Sequence, residues 1–110
     1  MTWIPLTENE EINTIKDQSF IEPQLIFKHS TNCSISSMAK NRLDRGDQPE
    51  GIAFHYLDLI KYRNISNSVA EIFDVPHQSP QVLLIKNGEC IYDESHNGIS
   101  INEIKDQLTS

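Results

Sequence analysis

The chain is 110 residues long, one domain's worth, since single domains cluster near about 100–150. Ile, Leu, Val and Phe supply 30 of those residues, enough apolar side chain for a packed core rather than a disordered segment. Nine basic against sixteen acidic side chains give a formal net charge of −7, which argues against gripping nucleic acid by bulk electrostatics.

Thr7 with Glu10 three residues later has the form of a capping box and opens a predicted helix over about 8–19, with Ile12, Ile15 and Phe20 at helical spacing. Pro23 precedes Gln24–His29, a short apolar run that reads as a buried strand. After the polar turn Ser30-Thr31-Asn32, a second helix is expected over about 33–45. Its inward stripe is Ile35, Met38, Ala39, Arg42 and Leu43, and Gly46 stops it. A loop at 47–51 leads to a second strand at 52–59. Asn64 or Ser66 then caps a helix that reaches Phe73 with Ile65, Val69 and Ile72 on one face.

The segment Val75–Pro80 holds two prolines, which no helix or central strand accommodates. Gln81–Lys86 reads as an apolar strand, Asn87-Gly88 as a two-residue hairpin turn, and Glu89–Asp93 as the returning antiparallel strand. Ser100 with Glu103 forms a second capping box, opening a last helix with Ile101, Ile104 and Leu108 inward. The order αβαβαββα belongs to the α/β class: a four-stranded mixed sheet with helices on both faces, in a single domain over 1–110. No apolar run approaches the roughly 18 residues a membrane span needs, and the opening MTWIPLTENEE carries no secretory pattern. Two cysteines are too few for a disulfide-stapled fold, so a cytoplasmic protein without a membrane partner is expected.

The informative stretch is Thr31-Asn32-Cys33-Ser34-Ile35-Ser36. A cysteine between a strand's end and a helix's first turn meets unpaired backbone N–H groups and the positive end of the helix dipole. Both favour thiolate over thiol, and only the thiolate attacks disulfides or binds metal. The plainer reading, a small buried filler, fits poorly among serines and threonine. Ser36 stands where a C-x-x-C motif would carry its second sulfur. A vicinal disulfide is therefore excluded and monothiol exchange favoured, with the Ser36 hydroxyl one helical turn away as a hydrogen-bond donor to Cys33.

Strand, Cys-x-x-Ser at a helix start, strand, helix, then Ser79-Pro80 opening a hairpin resembles the thioredoxin fold preceded by an extra N-terminal helix. More narrowly, Phe27–Ser37 (FKHSTNCSISS), Asn41-Arg42-Leu43, Tyr62–Asn67 and His77–Gln81 resemble the YtxJ-type monothiol bacilliredoxin family, across nearly the whole chain. Members are thioredoxin-like proteins associated with bacillithiol redox chemistry. Many of them carry proline directly after the cysteine, where this chain has Ser34. The resemblance implies a cis Ser79–Pro80 bond facing Cys33, with Cys33 as nucleophile and Ser36 as its helix neighbour. It also implies a substrate ledge at Ser79 and Pro80. Thr31, Asn32 and Ser34 beside Cys33, and His77 beside the ledge in contact with a bound thiol, are the further substrate-binding candidates.

The remaining candidates are weaker. Cys90 reads as a packed strand thiol rather than a resolving partner of Cys33. His29 reads as a satisfied strand-end histidine, with tuning of Cys33 as an imidazolium the alternative. Lys28 is expected to reach water, with attraction of a substrate carboxylate or support of the thiolate as the alternatives. His55 and His96 have no functional case. No metal site is expected, and the Cys-Gly-Phe-Ser motif of iron–sulfur monothiol glutaredoxins is absent.

Two functions from different classes follow. One is a monothiol oxidoreductase that strips a low-molecular-weight thiol, bacillithiol or an equivalent, from S-thiolated proteins. It holds no bound cofactor and is regenerated by a thiol or a reductase. The other is a thioredoxin-like module that binds a peptide or protein without redox turnover.

Overall fold

A computed structural model of the chain describes residues 1–109. Its elements follow as β1 (Trp3–Pro5), α1 (Glu10–Gln18), β2 (Gln24–His29), α2 (Ser34–Arg45), β3 (Ala53–Asp58), α3 (Arg63–Phe73), β4 (Gln81–Lys86), β5 (Glu89–Ser95) and α4 (Ile101–Leu108). A single 3₁₀ turn at His96–Gly98 precedes α4. The strands form one sheet in the order β1-β3-β2-β4-β5. Both β1 and β2 run parallel to β3, while β4 is antiparallel to β2 and to β5.

The sheet has five strands, not the expected four. Trp3, Ile4 and Pro5 pair with Phe54, His55 and Tyr56, and the Leu6 N–H extends the ladder to the Tyr56 carbonyl at 2.8 Å. Three residues are too few to display an alternating pattern, and Pro5 argues against a strand except at an edge, which is where this one lies.

Alternation along the central strand β2 divides the core. Leu25 and Phe27 join Phe54, Val82 and Leu84 on one face, beneath Ala39 and Leu43 of α2 and Ile104 of α4. Ile26 joins Leu57, Leu83 and Ile85 on the other, beneath Ile12 and Ile15 of α1 and Ile65, Val69 and Phe73 of α3. All six residues of β2 are buried, so the segment entering the 30–33 turn is anchored from both sides.

Local signals were met unevenly. Asn87 and Gly88 take positive φ, 54° and 80°, as a two-residue turn between right-twisted strands requires. At the first helix the expected capping box does not form: the N-cap is Asn9, without a side-chain capping bond, and Glu11, not Glu10, reaches back to accept the backbone N–H groups of Thr7 and Glu8. Ser100 is the N-cap of α4, yet its side chain makes no capping bond. Neither Asn64 nor Ser66 caps α3, whose N-cap is Tyr62. The Asp58 carboxylate instead accepts the amides of Ile60 and Lys61 just before it.

Four inward assignments are corrected. In α2, Ser36, Ala39 and Leu43 are buried, whereas Ile35 and Met38 are 44% and 57% exposed. The helix is rotated relative to its apolar stripe because the Ser36 hydroxyl finds partners under it. In α3, Phe73 takes the inward place expected of Ile72. Phe20 is exposed past the end of α1, with its ring edge over Gly88.

Candidate active site

Cys33 is the N-cap of α2, in extended backbone at φ −111° and ψ 123°. Its N–H donates to the Ser30 carbonyl at 3.2 Å, closing the turn out of β2. Its own carbonyl accepts the Ser37 N–H at 3.1 Å, the first bond of the helix. The amides of Ser34, Ile35 and Ser36 thus lie at the helix start without intrahelical acceptors, at the positive end of the helix dipole. Cys33 is a free, partly exposed thiol whose side chain makes no capping hydrogen bond. Thr31, Asn32 and Ser34 around it are exposed. A disulfide substrate can approach the sulfur from solvent.

Ser36 is fully buried. Its hydroxyl lies 2.7 Å from Nδ1 of His29 and accepts the Ser30 N–H at 3.0 Å. Burial pushes the His29 imidazole below its ordinary range, with the Lys40 charge acting the same way. Asp58 and a hydrogen bond at Ser36 oppose them. A neutral ring leaves Nδ1 able to accept the Ser36 proton. The Ser36 oxygen thus lies against β2, bonded to His29 and Ser30 rather than to the Cys33 sulfur, and His29 is a satisfied strand-end histidine. Ser36 fixes the turn that presents Cys33.

The other wall of the site is the connection between α3 and β4. Gln81 lies opposite Lys28 in the β2–β4 register, which brings Ser79 and Pro80 to the end of β2 from which the Ser30–Cys33 turn departs. The Ser79–Pro80 peptide bond is cis. Pro80 is buried, and its carbonyl accepts the His96 N–H at 3.0 Å. The buried Gln81 side chain clasps the connection at both ends of its amide: Nε2 donates to the Pro76 carbonyl at 3.1 Å, and Oε1 accepts the Gln78 N–H at 3.3 Å.

Lys28 departs from expectation. It is wholly buried and does not reach water. Its ammonium donates to the Ser66 carbonyl at 3.2 Å and lies 3.2 Å from Nδ1 of His77, which Ser66 Oγ also approaches at 3.3 Å. Burial lowers the Lys28 amine to about 8. His77, though exposed, is also held below its usual range, first by desolvation and then by the charges of Lys28 and Arg63. The tethers from Lys28 and Gln81 to the 74–80 connection were not read from the sequence. The available signal was parity: Lys28 shares the face of Ile26, two residues earlier.

Cys90 is remote from this end. It pairs with Ile85, which pairs with Gln24, the first residue of β2, whereas Cys33 follows the last. At about 3.3 Å per residue, five steps along β2 alone cover roughly 17 Å, and a disulfide needs Cα atoms within about 7 Å. The Cys90 Sγ–H donates to the Tyr92 carbonyl at 3.3 Å, and burial raises the thiol to about 11. Among the described residues, no three His, Cys, Asp or Glu side chains converge as a metal site would require.

A mixed sheet covered by helices on both faces, a cysteine at the N-cap of the helix that links the parallel strands β2 and β3, and a proline entering the antiparallel hairpin define a thioredoxin-like protein. Solved structures agree with that class. A protein described as an oxidoreductase with a thioredoxin fold superposes with a TM-score of 0.85 at 23% identity, over 96% of this chain and 93% of the other. Thioredoxin from Trypanosoma brucei brucei gives 0.79 at 10% identity, over 99% and 93%. Thioredoxin from Malassezia sympodialis gives 0.74 at 14%, over 99% and 89%. The family model for monothiol bacilliredoxin BrxC matches residues 4–104, and the chain belongs to that family. Family and fold together mark it as a redox-type protein that works with thiol-based partners. No helix among the described residues is long and apolar enough to cross a membrane.

Proposed function

We propose that the protein is a cytoplasmic monothiol oxidoreductase that removes a low-molecular-weight thiol, bacillithiol or an equivalent, from protein mixed disulfides. The observation that carries this reading is the partly exposed Cys33 at the start of α2, with Ser36 rather than a second sulfur one turn on. The Cys33 thiolate attacks the sulfur of the low-molecular-weight thiol in the mixed disulfide. That S–S bond breaks, the protein substrate leaves as thiolate, and a new S–S bond joins Cys33 to the small thiol. A second small thiol, or a reductase thiol, then attacks this disulfide and frees Cys33, so each bond broken is matched by one formed.

No metal or nucleotide enters either step. The amides at the start of α2 support the anionic sulfur as attacker and as leaving group. Thr31, Asn32 and Ser34 line the approach to Cys33. Ser79, with Pro80 and His77 beside it, offers backbone and side-chain groups to an extended substrate segment.

The test is a turnover assay on one carrier protein modified in turn with bacillithiol, glutathione and coenzyme A. Release of at least one small thiol, lost in Cys33→Ser and kept in Cys90→Ser, is the expected result. No release from any adduct, with Cys33 unmodified, overturns the reading and leaves a binding module.

A further inference from the structure

A lysine buried without a carboxylate partner calls for an explanation, because an ammonium is costly to remove from water unless its protons are used. In Lys28 they are used on a single structure: the first turns of α3, through the Ser66 carbonyl, and the 74–80 connection, through His77. An ammonium has donors only, so the ring nitrogen facing it at 3.2 Å must be an acceptor. That pairing calls for the tautomer that carries its proton on Nε2. Nδ1 faces inward, toward Lys28 and Ser66, and Nε2 has no protein partner among the described residues while the ring itself is exposed.

The charges that lower His77 are those of Lys28 and Arg63, both positive. The one salt bridge among the described residues, Lys40 with Asp44, lies elsewhere. This corner sits at the end of the sheet where Cys33 and Pro80 also lie, with Asp58 opposite His29 across the β2–β3 pair.

We propose that Lys28 is a positioning residue for His77: by donating inward to Nδ1 it presents the Nε2–H outward beside the Ser79–Pro80 ledge, as a donor to a carboxylate carried by the small thiol exchanged at Cys33. The proposal rests on the exchange reading above and adds the chemistry of the thiol that is preferred. Arg63 adds to the attraction by charge. Lys28 itself touches no substrate.

The experiment compares two aromatic disulfides on a Cys90→Ser background: dithiobis(nitrobenzoate), whose rings carry carboxylates, and neutral dithiodipyridine. Each labels Cys33 by disulfide exchange and releases a coloured thiol. The quantity read is the ratio of the anionic to the neutral second-order rate constant. It is expected to fall about tenfold in Lys28→Met and in His77→Phe, the scale of one hydrogen bond to a charged group. His77 is a surface position, so its variant reads the ratio even if Lys28→Met does not fold.

Ring ¹⁵N NMR of His77 supplies a readout independent of exchange. The wild-type ring is expected as one species, bare at Nδ1 and protonated at Nε2, and Lys28→Met as a mixture of both tautomers. A ratio unchanged in both variants, or a wild-type ring protonated at Nδ1, overturns the proposal. If neither reagent labels Cys33, the exchange reading falls, and the ring spectrum alone decides whether Lys28 sets the state of His77.

Discussion

The Ser36 hydroxyl, one helical turn past Cys33, lies 2.7 Å from Nδ1 of His29 on the strand that leads into the site. One buried oxygen thereby ties the start of α2 to the end of β2, and it also satisfies the Ser30 N–H at 3.0 Å. Ser36→Ala strands that N–H and the ring nitrogen together. A loss of about 1–3 kcal/mol is expected, the usual cost of an unsatisfied buried group. It is read as a lower urea midpoint at unchanged slope. An unchanged midpoint contradicts the pairing.

Acid weakens the fold before the carboxylates titrate. His29, His55 and His77 are each held below the ordinary 6.5, with burial the largest cause in all three. Each binds its proton more readily in the unfolded chain, so their contribution is complete above about pH 6.5 and declines as pH falls below it. His55 is buried, with Nε2 2.7 Å from Oε1 of Gln24. The urea midpoint is expected to drop between about pH 7.5 and about pH 5, and less steeply in His55→Gln. A midpoint that holds or rises over that interval contradicts the assignment of neutral, buried rings.

The two thiols differ in their surroundings. Cys90 is raised to about 11 and spends its S–H on the Tyr92 carbonyl. Brief treatment of the native protein with iodoacetamide near about pH 8 is expected to label Cys33 alone, since only thiolate reacts and Cys90 is almost wholly protonated there. Peptide mass spectrometry reads the site. Equal labelling of Cys90 in folded protein contradicts the packing described.

Gly88 is required by its backbone, with the exposed Phe20 ring lying against it. Its φ is +80°, and a Cβ there meets Phe20 Cζ at 2.7 Å. Gly88→Ala is expected to cost on the order of 1–3 kcal/mol through backbone strain and the ring contact. Combining it with Phe20→Ala, itself a modest change at an exposed side chain, relieves the steric share alone. Thermal denaturation of the singles and the double separates the two, and strict additivity contradicts the ring contact.

The parts of the molecule that were legible share a physical basis: they depend on neighbours in sequence. Asn87-Gly88 needs positive φ from two adjacent residues, and the buried run Gln24–His29 needs only its own apolar side chains. Cys33 needs only a strand before it and a helix after it. What escaped depends on partners far along the chain. The strand at Trp3–Pro5 exists because β3 offers an open edge, about fifty residues away. The rotation of α2 follows from His29 and Ser30 rewarding the burial of Ser36, which apolar spacing within 34–45 cannot register. Lys28 was expected in water because lysines usually go there. Its burial is decided by the Ser66 carbonyl and His77, 38 and 49 residues away.

The central claim is that Cys33 carries the transferred thiol, and intact-mass spectrometry under single turnover tests it most directly. The Cys90→Ser chain is mixed with an equimolar bacillithiolated protein and quenched with acid. The account predicts a mass increase of one bacillithiol on the chain, mapped to Cys33, with a matching yield of freed substrate thiol. A Cys33 that stays unmodified while the substrate remains fully bacillithiolated contradicts it.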